Sequence, residues 1–156
     1  MTSTALDKIA GLQEHLPVTF TEPGLADDDF QGLLESFPDA TVEYRADGTV
    51  SIMPPTDPET AKRAARITQR LGNWADLINR GSVVGPNGGF RFPDGSRLAP
   101  DCAWFDETRW QQVRKPGQRF PVFSPEFVIE LRSPDDRLSA VRDKMEVVLE
   151  LDRILT

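Results

Sequence analysis

Two acidic residues, Asp101 and Glu130, lie in segments that the sequence predicts as β-strands. Glu130 interrupts the apolar run 127–131, and burying a carboxylate there is costly unless a cation, a metal or a hydrogen-bond donor meets it. Strand alternation places Glu130 and Arg132 on one face. If Asp101 comes from the neighbouring strand, two carboxylates and a guanidinium converge in the oxygen-rich arrangement that Mg²⁺ prefers, which suits phosphodiester hydrolysis. The alternative is a rim ion pair of Glu130 with Arg132 beside a Pro-Asp turn, because structural ion pairs imitate functional sites.

The size of the chain and its single cysteine and histidine limit the classes of function. A chain of 156 residues suits one domain with one hydrophobic core. Because Cys102 is the single cysteine, the chain has no internal disulfide. One cysteine and one histidine, His15, provide neither a zinc cluster nor a Ser/His/Asp hydrolase set. Cys102 is therefore interpreted as a core residue. No apolar run approaches the roughly 20 residues that cross a bilayer, and the N-terminus has no signal pattern. These features predict a cytoplasmic protein with no membrane partner.

The net charge of -7 is a property of the N-terminal part of the chain. Residues 1–40 carry Lys8 against eight acidic residues, and the remaining 17 bases and 17 acids cancel. The part that holds Asp101 and Glu130 is therefore neutral with local basic clusters. Tight binding of DNA without sequence preference needs many phosphate contacts, so we expect any binding of DNA to be weak and strongly salt-dependent.

Hydrophobic periodicity and turn residues predict an alternation of helices and strands. The predicted elements are helices at 5–15, 27–37, 58–80 and 136–150 and strands at 41–45, 49–53, 82–85, 89–92, 98–105 and 127–132. Asp47-Gly48 is the turn of a hairpin, Pro58 opens the longest helix and Gly81 caps it. The three acids at 27–29 are interpreted as a solvated helix start. The predicted core positions of the last two helices are Ile67, Leu71, Trp74 and Ile78, and Leu138, Val141, Met145 and Leu149.

Two basic clusters are candidates for binding nucleic acid. Lys62, Arg66 and Arg70 form a row at i, i+4 and i+8 of the longest predicted helix. This row is either a solvated helix face or a surface that follows phosphates. The second cluster lies in 106–123, which is predicted as a loop that either grips nucleic acid or crosses between strands. This segment combines two aromatic residues with four bases: Trp110, Phe120, Arg109, Arg114, Lys115 and Arg119.

A series of short motifs occurs in a fixed order between residues 41 and 149. The motifs are Glu43 to Asp47-Gly48, Met53-Pro54-Pro55-Thr56, Glu59-Thr60, Leu71 to Trp74, Gly89-Phe90, Pro93-Asp94-Gly95, Pro100-Asp101-Cys102-Ala103-Trp104, Arg109-Trp110, Phe120-Pro121, Glu130-Leu131-Arg132-Ser133-Pro134 and Lys144-Met145-Glu146. Each motif alone is weakly specific. As an ordered series they resemble the Uma-type putative restriction endonucleases, which belong to the PD-(D/E)XK nuclease superfamily.

The resemblance implies an α/β (α+β) fold in which a restriction-endonuclease-like mixed sheet is flanked by helices. It also implies an endonuclease that uses Mg²⁺, or Mn²⁺, to hydrolyse DNA. Asp101, Glu130 and the carbonyl of Leu131 would be the metal ligands, with Glu59 and Glu43 as further candidates. Arg132 would stand where the superfamily has its lysine, and Lys144 would supply an ammonium from the last helix. An arginine at this position holds a phosphate or orients water but does not act as a base.

Two departures from the family pattern support a different hypothesis. Arg66 stands where an acid is expected in the long helix, and the chain ends where family members continue into a further apolar strand, so the fold is expected to be truncated at the C-terminus. The alternative function is therefore a catalytically inactive remnant that binds DNA or associates with itself. An uncovered sheet edge invites pairing with another chain, so a homo-oligomer is expected. The predicted domains are an acidic helical extension at 1–40 and the nuclease-like domain at 41–156.

Overall fold

The structure of the protein, a computed structural model, describes Ile9, residues 11–134 and residues 136–154, and the side chains of 147–154 are outside this description. The helices are α1 (Asp27–Ser36), α2 (Pro58–Ile78), α3 (Glu107–Val113) and α4 (Leu138–Ile154), and a short 3₁₀ helix spans Leu12–His15. The strands are β1 (Val18–Thr21), β2 (Thr41–Tyr44), β3 (Thr49–Met53), β4 (Ser82–Val84), β5 (Phe90–Arg91), β6 (Arg97–Leu98), β7 (Cys102–Phe105) and β8 (Phe127–Ile129). The predicted α+β class is confirmed. Residues 5–8 and 10 of the predicted helix at 5–15 lie outside the described residues, and its last four residues form the 3₁₀ helix.

The chain divides into two compact units. The N-terminal unit contains residues 1–55 and 95–98, and the C-terminal unit contains residues 56–94 and 99–156. Strands of the N-terminal unit are ordered β1-β3-β2-β6, and those of the C-terminal sheet are ordered β4-β7-β8. The ladders are antiparallel in both units. The predicted division at residue 40 stays a prediction.

The predicted hairpin at 41–53 is confirmed as strands β2 and β3. Asp47 Oδ1 accepts the Thr49 N–H at 2.9 Å, and Gly48 has a φ of 89°, a backbone conformation that glycine adopts at little cost. Strand β1, which was not predicted, pairs with β3 from Val18 opposite Ile52 to Thr21 opposite Thr49. It is four residues long and alternates half-buried and exposed positions, so its hydrophobic signal is weak.

Arg97 is a buried cation in the N-terminal unit. Only 6% of the residue is exposed, and its guanidinium carbon lies 4.9 Å from the centre of the Phe30 ring and 5.3 Å from that of Tyr44. The guanidinium also forms an ion pair with Asp27 in the first turn of α1. The Asp27 side chain is 63% exposed, as expected for a solvated helix start, and it also compensates the buried charge of Arg97.

Helix α2 begins as predicted and ends differently. Asp57 caps it by accepting the N–H groups of Glu59 and Thr60 at 2.9 and 3.0 Å, and Pro58 follows at the first helical position. The predicted cap at Gly81 is wrong, because Asn79 adopts the left-handed conformation with a φ of 48° and closes the helix. Gly81 is needed for space instead, since a Cβ there would lie 2.4 Å from the Phe105 carbonyl oxygen.

The predicted core face of α2 is wrong in part. Trp74 is 45% exposed and Ile78 is also exposed, whereas the small residues Ala64 and Ala75 are buried. Alanines allow the helix to approach strands β4 and β7 closely, and the large side chains lie at the flank of this contact. Trp74 still packs edge-on against Trp104 of β7, with ring centres 5.5 Å apart.

An aromatic cluster forms the core on the other face of the C-terminal sheet. Phe105 alternates with Trp104 along β7 and packs against the rings of Phe90, Trp110 and Phe123 at centre distances of 5.4–6.1 Å. Cys102 is buried opposite Ile129, as predicted for a core residue, and burial raises the pKa of its thiol. The sheet is thus covered by α2 on one face and by this cluster on the other.

The strands that carry the candidate acids are shorter than predicted. The segment 98–105 is divided because Ala99, Pro100 and Asp101 lie between β6 and β7, and Pro100 lacks the N–H that a ladder needs. Strand β8 ends at Ile129, one residue before Glu130. In α4, Leu138 is exposed, contrary to the prediction, and Leu149 lies outside the described side chains. None of the helices in the described part of the chain is long and apolar enough to span a membrane.

Candidate active site

The two acid-bearing segments meet at one end of the C-terminal sheet. Antiparallel pairing of β7 with β8 ends with Cys102 opposite Ile129, and Asp101 and Glu130 are the next residues of the two segments. Continued pairing in this register would direct both side chains to the same face. The Leu131 N–H donates to Asp101 Oδ2 at 2.6 Å, which joins the two segments beyond the end of the ladder. Within the described residues, Asp101 Oδ1 accepts no hydrogen bond and remains available to a ligand.

Lys144 extends from α4 to the same place. Its ammonium nitrogen lies 2.9 Å from Glu130 Oε1 and donates to the Ala99 carbonyl oxygen at 3.2 Å. The side chains of Glu130 and Lys144 are only 8% and 15% exposed. A carboxylate buried to this degree needs a countercharge, and Lys144 provides it. The structure therefore brings together Asp101, Glu130, Leu131 and Lys144.

Arg132 lies beside this cluster in the turn after β8. Its side chain is exposed, and Nε donates to the Asp136 carbonyl oxygen at 3.2 Å. The Asp136 carboxylate accepts the Ser133 N–H at 2.8 Å and closes the turn. The exposed guanidinium is thus held on the turn that follows Leu131, where an anionic ligand can reach it.

The further predicted metal ligands belong to other elements of the fold. Glu59 is in the first turn of α2, where it pairs with Lys62 at 2.8 Å and with Arg63 at 3.9 Å, and all three side chains are more than half exposed. Glu43 is on β2 in the N-terminal unit, opposite Ser51. No group of three or more His, Cys, Asp and Glu side chains close enough to hold a metal occurs among the described residues.

The donor set at the sheet end is nevertheless of the kind that suits magnesium. It consists of two carboxylates and backbone carbonyl groups, all of which are hard oxygen donors. Mg²⁺ commonly takes one or two protein carboxylates and completes its octahedron with water and substrate phosphate. The residues present therefore fit a divalent hard cation, and the separation of the Asp101 and Glu130 carboxylates stays a prediction.

The six candidate DNA-binding residues are all exposed. Lys62, Arg66 and Arg70 lie on one face of α2. The others follow α3, at Arg114, Lys115 and Arg119, and the Arg119 guanidinium lies 5.5 Å from the centre of the Phe120 ring. The prediction of an unbroken loop at 106–123 is wrong, because Asp106 caps the helix α3 by accepting the N–H groups of Thr108 and Arg109.

A second cluster of charges, at the opposite end of β7, was not predicted. It lines a cleft of about 680 Å³. Arg80 Nε lies 2.6 Å from Asp106 Oδ2, Arg109 pairs with Glu126, and Ser82 Oγ donates to Glu107 Oε2 at 2.5 Å. The Arg80 guanidinium lowers the pKa of Asp106, and the Ser82 hydroxyl lowers that of Glu107. The sequence Asp106-Glu107-Thr108 is a helix-capping signal that predicts the start of α3. Because α3 carries Glu107 and Arg109, the same signal points to this charge cluster.

Comparison with known families supports the assignment that the motifs suggest. The sequence profile of the Uma2 family, described as "Putative restriction endonuclease", matches residues 27–150. The chain belongs to the Uma2 family. The Uma2 match includes Asp101, Glu130, Leu131 and Lys144 and extends from α1 into α4. No protein among the curated sequences matches the chain.

A solved structure supports the same fold. It is that of a putative nuclease belonging to DUF820 from Anabaena variabilis, with a TM-score of 0.59 and 16% sequence identity. The match covers 71% of the present chain and 61% of that nuclease. This Uma2 protein therefore has a nuclease-like fold and spans about three fifths of the length of the nuclease it resembles.

Proposed function

We propose that this protein is a divalent-metal-dependent endonuclease that hydrolyses phosphodiester bonds of DNA. The observation that carries the proposal is the convergence of Asp101, the Glu130–Leu131 segment and Lys144 at one end of the C-terminal sheet. Membership of the Uma2 family and the nuclease-like fold make this chemistry the natural use of such a cluster. The cytoplasmic location predicted from the sequence is part of this proposal.

The metal ligands in this proposal are the carboxylates of Asp101 and Glu130 and the carbonyl of Leu131. Mg²⁺, or Mn²⁺, bound there would polarise the phosphodiester and lower the pKa of a bound water. Asp101 is already fixed by its hydrogen bond from the Leu131 N–H, so the two ligand segments keep their relative position. The exposed guanidinium of Arg132 would hold a phosphate of the substrate, because it is permanently charged and offers several N–H donors.

Binding of DNA would depend on the two exposed basic clusters. Neutralising about four phosphates gives a slope near -4 in a plot of log affinity against log salt concentration. The six residues proposed to make these contacts are Lys62, Arg66, Arg70, Arg114, Lys115 and Arg119. The acidic N-terminal part of the chain would oppose binding, so the affinity is expected to be weak at moderate salt.

A second candidate function is a nuclease fold that has lost catalysis and binds DNA or associates with itself. Two observations favour it. Arg66 stands on α2 where an acid is expected, and the described residues contain no group of three acidic or other metal-ligating side chains. Under this hypothesis the Lys144–Glu130 pair would hold α4 on the sheet and would have no part in catalysis.

Cleavage of supercoiled plasmid DNA in Mg²⁺ or Mn²⁺ distinguishes the two functions. The wild type is expected to cleave, and Asp101→Asn and Glu130→Gln are each expected to lose at least about 100-fold in rate, as when one group that stabilises developing charge is removed. Glu107→Gln, at the other end of β7, is the matched control and should keep its rate within a few-fold. Absence of cleavage in either metal, with DNA binding retained, would favour the non-catalytic function.

A further inference from the structure

A cation of the chain itself, the Lys144 ammonium, lies at the proposed site. The Lys144 ammonium lies 2.9 Å from Glu130 Oε1 and donates to the Ala99 carbonyl oxygen at 3.2 Å, so it bridges the end of β8 and the segment before β7. Glu130 is the more deeply buried partner, with 8% of its side chain exposed. A buried carboxylate of this kind is stable only with a countercharge, and here the countercharge comes from the chain itself.

A second cation at Glu130 would compete with the first. A ligating carboxylate oxygen lies about 2.0–2.1 Å from Mg²⁺, so metal and ammonium together at Oε1 would be within about 5 Å of each other. Repulsion between a divalent ion and an ammonium at that distance is strong in a poorly hydrated site. The lysine side chain is a flexible four-carbon stem that can carry its ammonium away.

We propose that Lys144 is an internal competitor of the divalent metal: its ammonium holds Glu130 in the metal-free protein and must leave it when the metal binds. This inference rests on the proposed function, since it takes Asp101 and Glu130 as metal ligands. It assigns two positions to the Lys144 side chain. Without metal the ammonium contacts Glu130 and the Ala99 carbonyl oxygen, and with metal bound it is released from both. The released ammonium is then free to contact a substrate phosphate, so this positive charge becomes available only in the metal-loaded protein.

A purely supporting role for Lys144 predicts the opposite sign. If Lys144 served only to position Glu130 for the metal, its removal would weaken metal binding. If Lys144 competes, its removal tightens binding, because the metal no longer displaces an ion pair. Coupling between two ligands of one protein is reciprocal, so the metal also weakens the hold of Lys144 on Glu130 by the same factor.

Calorimetric titration of Mn²⁺ into wild type, Lys144→Met and Lys115→Met measures this sign. Lys115 is exposed and carries the same charge, so its variant controls for the general effect of removing one positive charge. We expect the Kd for Mn²⁺ to fall about tenfold in Lys144→Met, within the range of typical coupling factors, and to stay within about twofold of wild type in Lys115→Met. An unchanged or higher Kd in Lys144→Met overturns the proposal.

Thermal unfolding supplies a second readout that does not depend on activity. In EDTA, Lys144→Met is expected to unfold at a lower temperature than wild type, because Glu130 has lost its countercharge. Saturating Mn²⁺ should raise the Tm of Lys144→Met by more than it raises that of wild type. If the variant is unfolded in EDTA, recovery of its circular dichroism spectrum on addition of Mn²⁺ supports the proposal, and failure to recover overturns it.

The same titration separates this inference from the proposed function. Adding Asp101→Asn to Lys144→Met should abolish the tight binding, and tight binding that survives the second substitution overturns the assignment of the site. Tight, Asp101-dependent binding without DNA cleavage supports the competition and rejects the nuclease function. Absence of Mn²⁺ binding in every variant overturns both.

Discussion

The start and the end of strand β7 both carry clusters of acidic and basic side chains, about 16 Å apart at the usual rise of a strand. At the start, Asp101 accepts one hydrogen bond from the Leu131 N–H, and the largely buried Glu130 forms an ion pair with the largely buried Lys144. At the end, both carboxylate oxygens of Asp106, Glu107 and Glu126 accept hydrogen bonds from helix amides, guanidinium groups, a hydroxyl and a side-chain amide.

Both clusters combine acidic and basic side chains, so charge alone does not distinguish them. They differ in how many of their carboxylate oxygens already accept hydrogen bonds. Each carboxylate oxygen of Asp106, Glu107 and Glu126 already accepts at least one hydrogen bond, and the cluster fastens α3 to the sheet. The start of β7 keeps an available oxygen on Asp101 within the described residues and pairs its other acid with a lysine that can move. A cleft of about 680 Å³ at the end of β7 therefore gives no functional indication by itself.

The largest expected difference between the two ends is in stability. Lys144→Met should lower the free energy of unfolding in EDTA by about 3–5 kcal/mol, the usual cost of leaving a buried charge without its partner. Arg80→Met should have a much smaller effect, because the Arg80 side chain is 69% exposed. Urea unfolding of the two variants measures both changes. Equal losses would mean that the two ion pairs have the same structural role.

Binding of DNA should involve the exposed bases of α2 and not the end of β7. Replacing Lys62, Arg66 and Arg70 by alanine should make the salt slope shallower by about 2, since these are half of the six residues that together neutralise about four phosphates and each contact contributes roughly 0.9. Arg80→Ala is the control, and its slope should equal that of wild type because Asp106 already holds this guanidinium. Fluorescence anisotropy between low and moderate salt measures the slopes. An affinity that does not change with salt in the wild type would contradict the electrostatic account.

The smallest expected effect concerns pH. The pKa of Asp106 is lowered mainly by the Arg80 guanidinium and that of Glu107 mainly by the Ser82 hydroxyl. A carboxyl whose pKa is lower in the folded protein contributes stability above its unfolded pKa of about 4, and this contribution is lost as the pH falls through the folded pKa. The double variant Asp106→Asn/Glu107→Gln should therefore lose less stability than wild type when the pH falls from about 5 to about 3, a range that brackets the reference pKa values of these carboxyl groups. Parallel urea midpoints in the two proteins would argue against the predicted contribution.

The sequence predicted the elements that depend on local chemistry. Asp47-Gly48 predicted the hairpin turn because glycine tolerates the positive φ of such a turn. Pro58 predicted the start of α2 because its fixed φ suits the first helical position and its missing N–H is not needed there. The pairing of the Asp101 and Glu130 segments was also predictable, since an acid inside an apolar strand needs partners. The family resemblance agreed with the Uma2 match and the nuclease-like fold.

Other features depend on tertiary packing and were missed. Strand β1 is short and half-buried, so its pairing with β3 leaves little mark in the sequence. The buried face of α2 follows small alanines, whereas hydrophobicity alone favours the larger Trp74 and Ile78. The charge cluster after β7 was overlooked because α3 is only seven residues long and its bases suggested a loop.

Binding of Mg²⁺ and Mn²⁺ by calorimetry to wild type, Asp101→Ala and Glu107→Gln tests the central claim most directly, because capture of the metal precedes any cleavage. One ion per chain is expected to bind to wild type and to Glu107→Gln. Asp101→Ala should bind at least about tenfold more weakly, or not at all, since metal affinity depends on the identity and number of ligands. Equal affinity in wild type and Asp101→Ala, or loss of binding in Glu107→Gln alone, would contradict a metal site at the start of β7.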